Sequence, residues 1–150
     1  MKSNEKDCVF CRIIKRELPA EIILEDEKII AILDIQPIHF GHALIIPKNH
    51  CRDFLGLPAG EMTDVFLASQ RIAQALVHSL GLEGFNLFSN NGTIAGQSVF
   101  HFHMHVTPRF PNDNIRLVHE PKSYAEGELA AIASKIRSHL PEHSAATEKQ

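Results

Sequence analysis

Residues 97–109 read Gln-Ser-Val-Phe-His-Phe-His-Met-His-Val-Thr-Pro-Arg. Three histidines, His101, His103 and His105, fall on alternate positions, separated by Phe102 and Met104 and flanked by Phe100 and Val106. Successive side chains of a β-strand point to opposite faces. The alternation therefore predicts a strand with three imidazoles on one face and an apolar row on the other. The apolar row needs a core against it, and the imidazole face is left open for a ligand. A lone strand histidine packs like any other amphipathic side chain. Three in register point instead to chemistry that uses a neutral nitrogen nucleophile, a proton donor or a metal ligand.

The rest of the chain supplies the sheet and its cover. Residues 21–24 and 28–33 read as a hairpin around Glu25-Asp26-Glu27, and 43–46 as a third strand between Gly41 and Pro47. A short helix over 10–16 is stopped by Pro19. Pro58-Ala59-Gly60-Glu61 opens the longest helical pattern. Its apolar stripe is Val65, Ile72, Leu76 and Leu80, widened by Phe66, Leu67, Ala68, Ala73, Ala75 and Val77 and capped by Gly81. Residues 85–89 form a fourth strand, Asn90-Asn91-Gly92 a turn, and the histidine row the fifth strand. A second helix over 124–140 ends at Pro141. The expectation is an α+β domain: a five-stranded antiparallel sheet, the long helix on the Phe102/Met104 face, and a C-terminal helix. The domain is placed at 8–140, with flexible ends at 1–7 and 141–150.

A chain of 150 residues is long enough for one domain with a sizeable core. A net charge of −3 gives no footprint for a nucleic-acid polymer, and no stretch approaches the ~18 apolar residues of a membrane span. The first seven residues lack the apolar core of a signal peptide. Three cysteines, two of them in Cys8-x-x-Cys11, make a poor disulfide framework and suit a reducing, cytoplasmic compartment.

His-x-His-x-His after Gly96-Gln97-Ser98-Val99 resembles the motif of the histidine triad (HIT) family of nucleotide hydrolases and transferases. The likeness extends to Leu33-Asp34-Ile35-x-Pro37 and to Gly41-His42-x-Leu44-x-Ile46-Pro47-Lys48-x-His50, and runs from Cys8 to Arg109. It implies the HIT-like fold and a covalent mechanism, in which His103 attacks the α-phosphorus of a nucleotide and water releases the monophosphate from the nucleotidyl-histidine. Residue chemistry agrees. At pH 7 an unperturbed histidine is roughly three-quarters neutral, and covalent catalysis divides one hard displacement into two easier ones. His105, on the same face, holds phosphate oxygens and assists proton transfer to the leaving group. Ser98 and loop N–H groups steady the phosphate, although Ser98 by itself reads equally as a loop hydroxyl.

The resemblance also implies the nucleotide contacts. Asp34, by itself a strand-end or turn residue, matches the carboxylate that bonds the ribose hydroxyls. Phe10, Ile13 and Ile32 match positions that sandwich the base, and Asn90 and Gln97 match polar positions near phosphate or ribose. The ligand so implied is a purine nucleotide of the AMP type, and the assembly a homodimer.

Cys8-x-x-Cys11 by its spacing alone is a redox pair, a metal knuckle or chance. In the branch of the family that carries this pair, it belongs to a Cys₂His₂ zinc site whose other ligands match His50 and His101. Such a metal would pin the N-terminus to the catalytic strand. Cys51 reads as a buried, inert thiol, and His42 as structural; His78, His119, His139 and His143 follow no pattern. Three other activities remain open: nucleotidylyl transfer to a sugar phosphate, nucleotide binding with little turnover, and a metal oxygenase built on His101 and His103. The histidine at 105, where the uridylyltransferases carry glutamine, favours release to water. Thr107-Pro108-Arg109 resembles the dinucleoside polyphosphate branch and many bacterial members, and departs from the Gly-Gly of the phosphoramidase branch.

Overall fold

The hydrophobic pattern becomes two packed faces of one sheet. The structure, a computed structural model, describes residues 5–116 and 120–141. Most of the expected flexible ends, with His119 and His143, lies outside the described residues. The chain divides into two compact units, 1–115 and 116–150.

The first unit runs α1 (Val9–Ile14), β1 (Ile22–Glu25), β2 (Ile29–Leu33), β3 (Ala43–Pro47), α2 (Ala59–Leu80), β4 (Gly84–Phe88) and β5 (Met104–Arg109). The strands form one antiparallel sheet in the order β1-β2-β3-β5-β4. On one face α2 lays Val65, Ala68, Ile72, Ala73 and Leu76 against Ile29, Ala31, Ala43, Ile45, Phe102, Met104 and Val106. This is the expected pairing of the long helix with the Phe102/Met104 row. Full burial of each large aliphatic side chain contributes about 1.5–3 kcal/mol, so this layer is a main source of stability. Gly81 caps α2 in the left-handed conformation, as its position suggested. In the second unit α3 spans Glu128–Arg137, shorter than the expected 124–140. It starts after Gly127, which is left-handed, and the Glu128 side chain accepts a hydrogen bond from the Ala125 N–H (2.8 Å) at that boundary.

Two expectations about the histidine row are corrected. Regular strand begins only at Met104, so His101 and His103 precede it. The β3–β5 ladder stops at Ile45–Met104. Beyond it the Phe102 N–H donates to the Cys51 carbonyl (2.6 Å), and the Pro47 carbonyl is taken by the His101 ring (2.8 Å); Pro47 itself has no N–H to extend the ladder.

Nor is the imidazole face open: His101, His103 and His105 are 0%, 6% and 9% exposed. The N-terminal segment folds over that face, packing Cys8, Phe10, Cys11 and Ile13 on Ile30, Ile32, Leu44 and Ile46. Covered on both faces, β2 and β3 are continuous apolar runs rather than alternating ones.

The apolar pattern on α2 is wider than the face it buries. Phe66, Leu67 and Leu80 are exposed, as are Phe85 and Leu87 of the outer strand β4. A groove of about 800 Å³ runs between these two elements.

Candidate active site and candidate metal centre

Two adjacent clusters occupy the covered face. The first gathers residues distant in sequence. Cys8 stands at the N-cap of α1 and Cys11 in its first turn; His50 follows β3 and His101 precedes β5. Cys8 Sγ lies 3.4 Å and Cys11 Sγ 3.5 Å from His101 Nδ1, and Cys11 Sγ lies 3.2 Å from His50 Nδ1. All four donor atoms fall within 4.8 Å of one another, so the cluster could hold a metal ion. Because a carbonyl only accepts, the His101 Nε2–H must donate to Pro47, which leaves the Nδ1 lone pair facing the thiols. Burial pushes His101 down to about 4, so it is a neutral donor. Burial, and then the hydrogen bond and charge of Cys8, push the Cys11 thiol up to about 12. Two thiolates would sit together here only with a cation between them. Paired thiols and imidazoles converging on one point suit a tetrahedral site of the zinc type.

The second cluster contains His103, His105, His42 and Asp34. His103 Nδ1 is 2.7 Å from the His101 carbonyl. It must carry the proton, so Nε2 keeps its lone pair. A chain of bonds sets the opposite tautomer in His105. The Ile38 N–H donates to His42 Nδ1 (3.2 Å), so in neutral His42 the proton is on Nε2, 2.9 Å from His105 Nδ1. Nδ1 of His105 then accepts, and its Nε2 carries the N–H. That buried Nε2 has no hydrogen-bond partner among the described residues. The two rings lie 4.7 Å apart, centroid to centroid. One presents a free lone pair and its neighbour a free N–H.

Packing holds both rings. Phe10 meets the His103 ring edge-on at 5.1 Å, and Phe88 stacks on His105 at 4.6 Å. Burial lowers His103 and His42 and takes His105 down to about 4. The neighbouring imidazoles contribute to the His105 shift, and the Asp34 charge opposes these shifts in all three rings. The three rings, shifted down in this way, are mainly neutral at pH 7. Asp34 closes one end of the site: Oδ1 accepts from the Gln36 N–H (2.8 Å), and Oδ2 lies 3.6 Å from His42 Nδ1. Gly41, at φ +90°, allows the turn into His42; a Cβ there would come within 3.0 Å of Leu80 and 3.2 Å of Pro108.

The remaining sequence candidates divide. Ile13 and Ile32 are buried beside Phe10 on this face. Gln97 is buried, and its amide stitches loops together. Oε1 accepts from the Gly92 N–H (2.8 Å), while Nε2 donates to the carbonyls of Arg52 (2.7 Å) and Val99 (3.1 Å). Ser98 is exposed in the next position, and Asn90 is half-buried against Gly96.

Sequence reasoning under-read His42 and passed over Phe88. Period-2 alternation with Leu44 and Ile46, both on the covered face, was the available signal for His42. Phe88 had none, because only the β4–β5 register sets it opposite His105.

Sheet order, two-sided cover and paired histidine clusters together define an α+β domain with a histidine-rich site, and the HIT domain family model matches residues 15–112. The chain belongs to the HIT domain family. It is 35% identical to an adenylylsulfatase of Arabidopsis thaliana over 91% of this chain and 71% of that one. It is 42% identical to an adenosine 5′-monophosphoramidase of Saccharomyces cerevisiae over 68% and 62%. A solved HIT family structure from Bacillus subtilis superposes with a TM-score of 0.85 at 36% identity, covering 90% of this chain and 98% of that one. A Zn-bound histidine triad family protein from Mycobacterium smegmatis does so with a TM-score of 0.72 at 37% identity, covering 91% and 100%. Among the described residues no helix is long and apolar enough to cross a membrane.

Proposed function

We propose that this protein is a nucleotide hydrolase that cleaves at the α-phosphate of nucleoside phosphoramidates or dinucleoside polyphosphates through a nucleotidyl-histidine at His103. The reading is carried by the complementary tautomers, a free lone pair on His103 Nε2 beside a free N–H on His105 Nε2. The adenylylsulfatase and monophosphoramidase relatives support the reaction class.

His103 Nε2 forms the N–P bond as the bond from phosphorus to the leaving group breaks. A phosphate brings negative charge into a pocket of neutral imidazoles, and an anion beside an imidazole favours its protonated form. The complex therefore takes up a solvent proton in the hydrogen-bonded His42–His105 pair, and the Nε2 proton of His105 passes to the departing atom. In the second step water attacks phosphorus, His105 accepts its proton, and the electron pair of the N–P bond returns to His103. Asp34 binds the ribose hydroxyls. Phe10, Ile13 and Ile32 form the apolar wall for a purine base. Ser98 and Asn90 meet the phosphate or ribose, and Gln97 acts by holding the loop that carries Ser98.

Zinc is assigned to Cys8, Cys11, His50 and His101, in keeping with the donor set and the Zn-bound relative. Bound there, it would serve as a structural ion that neutralises the thiolates and ties α1 to the catalytic segment. A second copy of the chain is assigned to the groove between α2 and β4, where exposed Phe66, Leu67, Phe85 and Leu87 adjoin an unpaired strand edge. A monomer mass by light scattering at micromolar concentration would exclude that dimer. Three free cysteines accord with a cytoplasmic location.

The covalent reading is tested with His103→Ala. Turnover of adenosine 5′-phosphoramidate should fall by roughly 10³-fold or more, and trapping of a nucleotidyl-enzyme should be lost while AMP still binds. Full turnover by this variant would overturn the mechanism.

A further inference from the structure

Phe88 ends β4 directly opposite His105 in the β4–β5 register, and directly opposed residues of an antiparallel pair share a face. Phe85 and Leu87 of the same strand point the other way, into the groove beside α2, and Asn86 accepts a hydrogen bond from Arg109. Phe88 is thus the β4 side chain stacked on the histidine row. Its ring and that of His105 are parallel, with centroids 4.6 Å apart and planes 4° apart. The His42 ring lies 6.5 Å from Phe88 on the same face.

His42 holds His105 by one hydrogen bond, to Nδ1. One such bond fixes a single ring atom and leaves the plane free to rock about that contact. The free Nε2 lies across the ring, so rocking carries it off its target. Stacking removes this freedom, because the imidazole cannot tilt without separating the two faces or driving one ring into the other. An aromatic pair stabilises beyond its buried area by an amount similar to the net contribution of one hydrogen bond. The stack therefore weighs as much in the ring's orientation as the bond does.

We propose that Phe88 is a positioning residue for leaving-group protonation: its ring fixes the plane of His105 so that the Nε2–H is aimed at the departing atom. This rests on the proposed role of His105 as proton donor. In the step concerned the P–N bond of a phosphoramidate breaks, its electron pair goes to nitrogen, and nitrogen takes the Nε2 proton. An amine cannot leave without that proton; a nitrophenolate can leave as the anion. An error in aim should therefore be felt by one substrate far more than by the other.

The test compares Phe88→Leu, which keeps apolar volume but loses the ring, with Phe88→Tyr, which keeps it. Each is assayed on adenosine 5′-phosphoramidate and on the p-nitrophenyl ester of AMP. Phe88→Leu should lower kcat on the phosphoramidate by about 10- to 100-fold with KM little changed. That loss should exceed the loss on the aryl ester about tenfold or more, and Phe88→Tyr should restore most of it. Equal losses on both substrates would mean that Phe88 only supports the fold, and would overturn the proposal; so would full activity of Phe88→Leu on the phosphoramidate. Should Phe88→Leu fail to fold, Phe88→Met carries the same comparison. His105→Asn is run alongside. If it shows no selective loss on the phosphoramidate, His105 is not the proton donor, and the proposal falls with that reading rather than on its own account.

Discussion

His101 and His103 lie two residues apart on one segment, yet their surroundings differ in kind. Around His101 the polar atoms converge: Nε2 is committed to Pro47, and Nδ1, two thiols and His50 Nδ1 face a common point. Around His103 and His105, among the described residues, one nitrogen of each ring is committed, to the His101 carbonyl and to His42, and the other is left for a ligand. The first arrangement suits an ion held permanently and the second a group that arrives and leaves. An imidazole's role is set here by the partner of its second nitrogen, which chooses where the lone pair is presented.

Removing one side of this contrast should cost most in the metal half. Cys11→Ser or His50→Ala leaves an incomplete ligand set among buried polar groups. The expected loss is about 3–5 kcal/mol, and the Tm should fall by roughly 10 °C or more. Metal analysis of the purified variant should show zinc below one equivalent, and a chelator should lower the wild-type Tm in the same direction. An unchanged Tm with full activity after metal stripping would dissolve the distinction between the halves.

In the catalytic half, His42→Ala should leave the fold in place and reduce kcat by about 10- to 100-fold, since His105 then loses the partner that sets its tautomer. Steady-state kinetics with KM resolved from kcat would show it. A loss confined to KM would make His42 a binding residue instead.

The smallest effect concerns pH. Burial holds His105 near 4 in the folded chain, against about 6.5 unfolded. Below 6.5 the unfolded chain takes up a proton that the folded site refuses, so stability is complete above that value and declines as pH falls toward 4. His42 is shifted in the same direction by burial. The slope per group is at most about 1.4 kcal/mol per pH unit. Urea midpoints measured from pH 7.5 to pH 5 should fall in the wild type, and less steeply in His105→Asn. Parallel curves would show that His105 is not the titrating group.

Much of this is legible in the sequence alone. Alternation of apolar and histidine residues identified the last strand of the sheet and its α2-facing row, because a period of two leaves one choice of face. Gly81 and the length of the apolar pattern marked the end of α2. Two limits came from the same source. Local pattern says nothing about what covers a face, so the N-terminal segment over the histidines is implied only by the family resemblance, through Cys8, Phe10, Cys11 and Ile13. Nor does it distinguish an apolar residue facing the core from one facing a neighbour, and Phe66 and Leu67 were assigned to the core on that account.

Sequence by itself determined the strand pattern, the residue types of the site and the HIT family resemblance, since these depend on spacing along one stretch of chain. Tertiary structure decided which nitrogen of each imidazole is free. That choice depends on atoms brought together from far along the chain: the Pro47 carbonyl for His101, the Ile38 N–H acting through His42 for His105, and the Phe88 ring across the β4–β5 ladder. Hydrogen bonds and ring contacts act over a few ångströms, and only the folded sheet brings those groups within reach of one another.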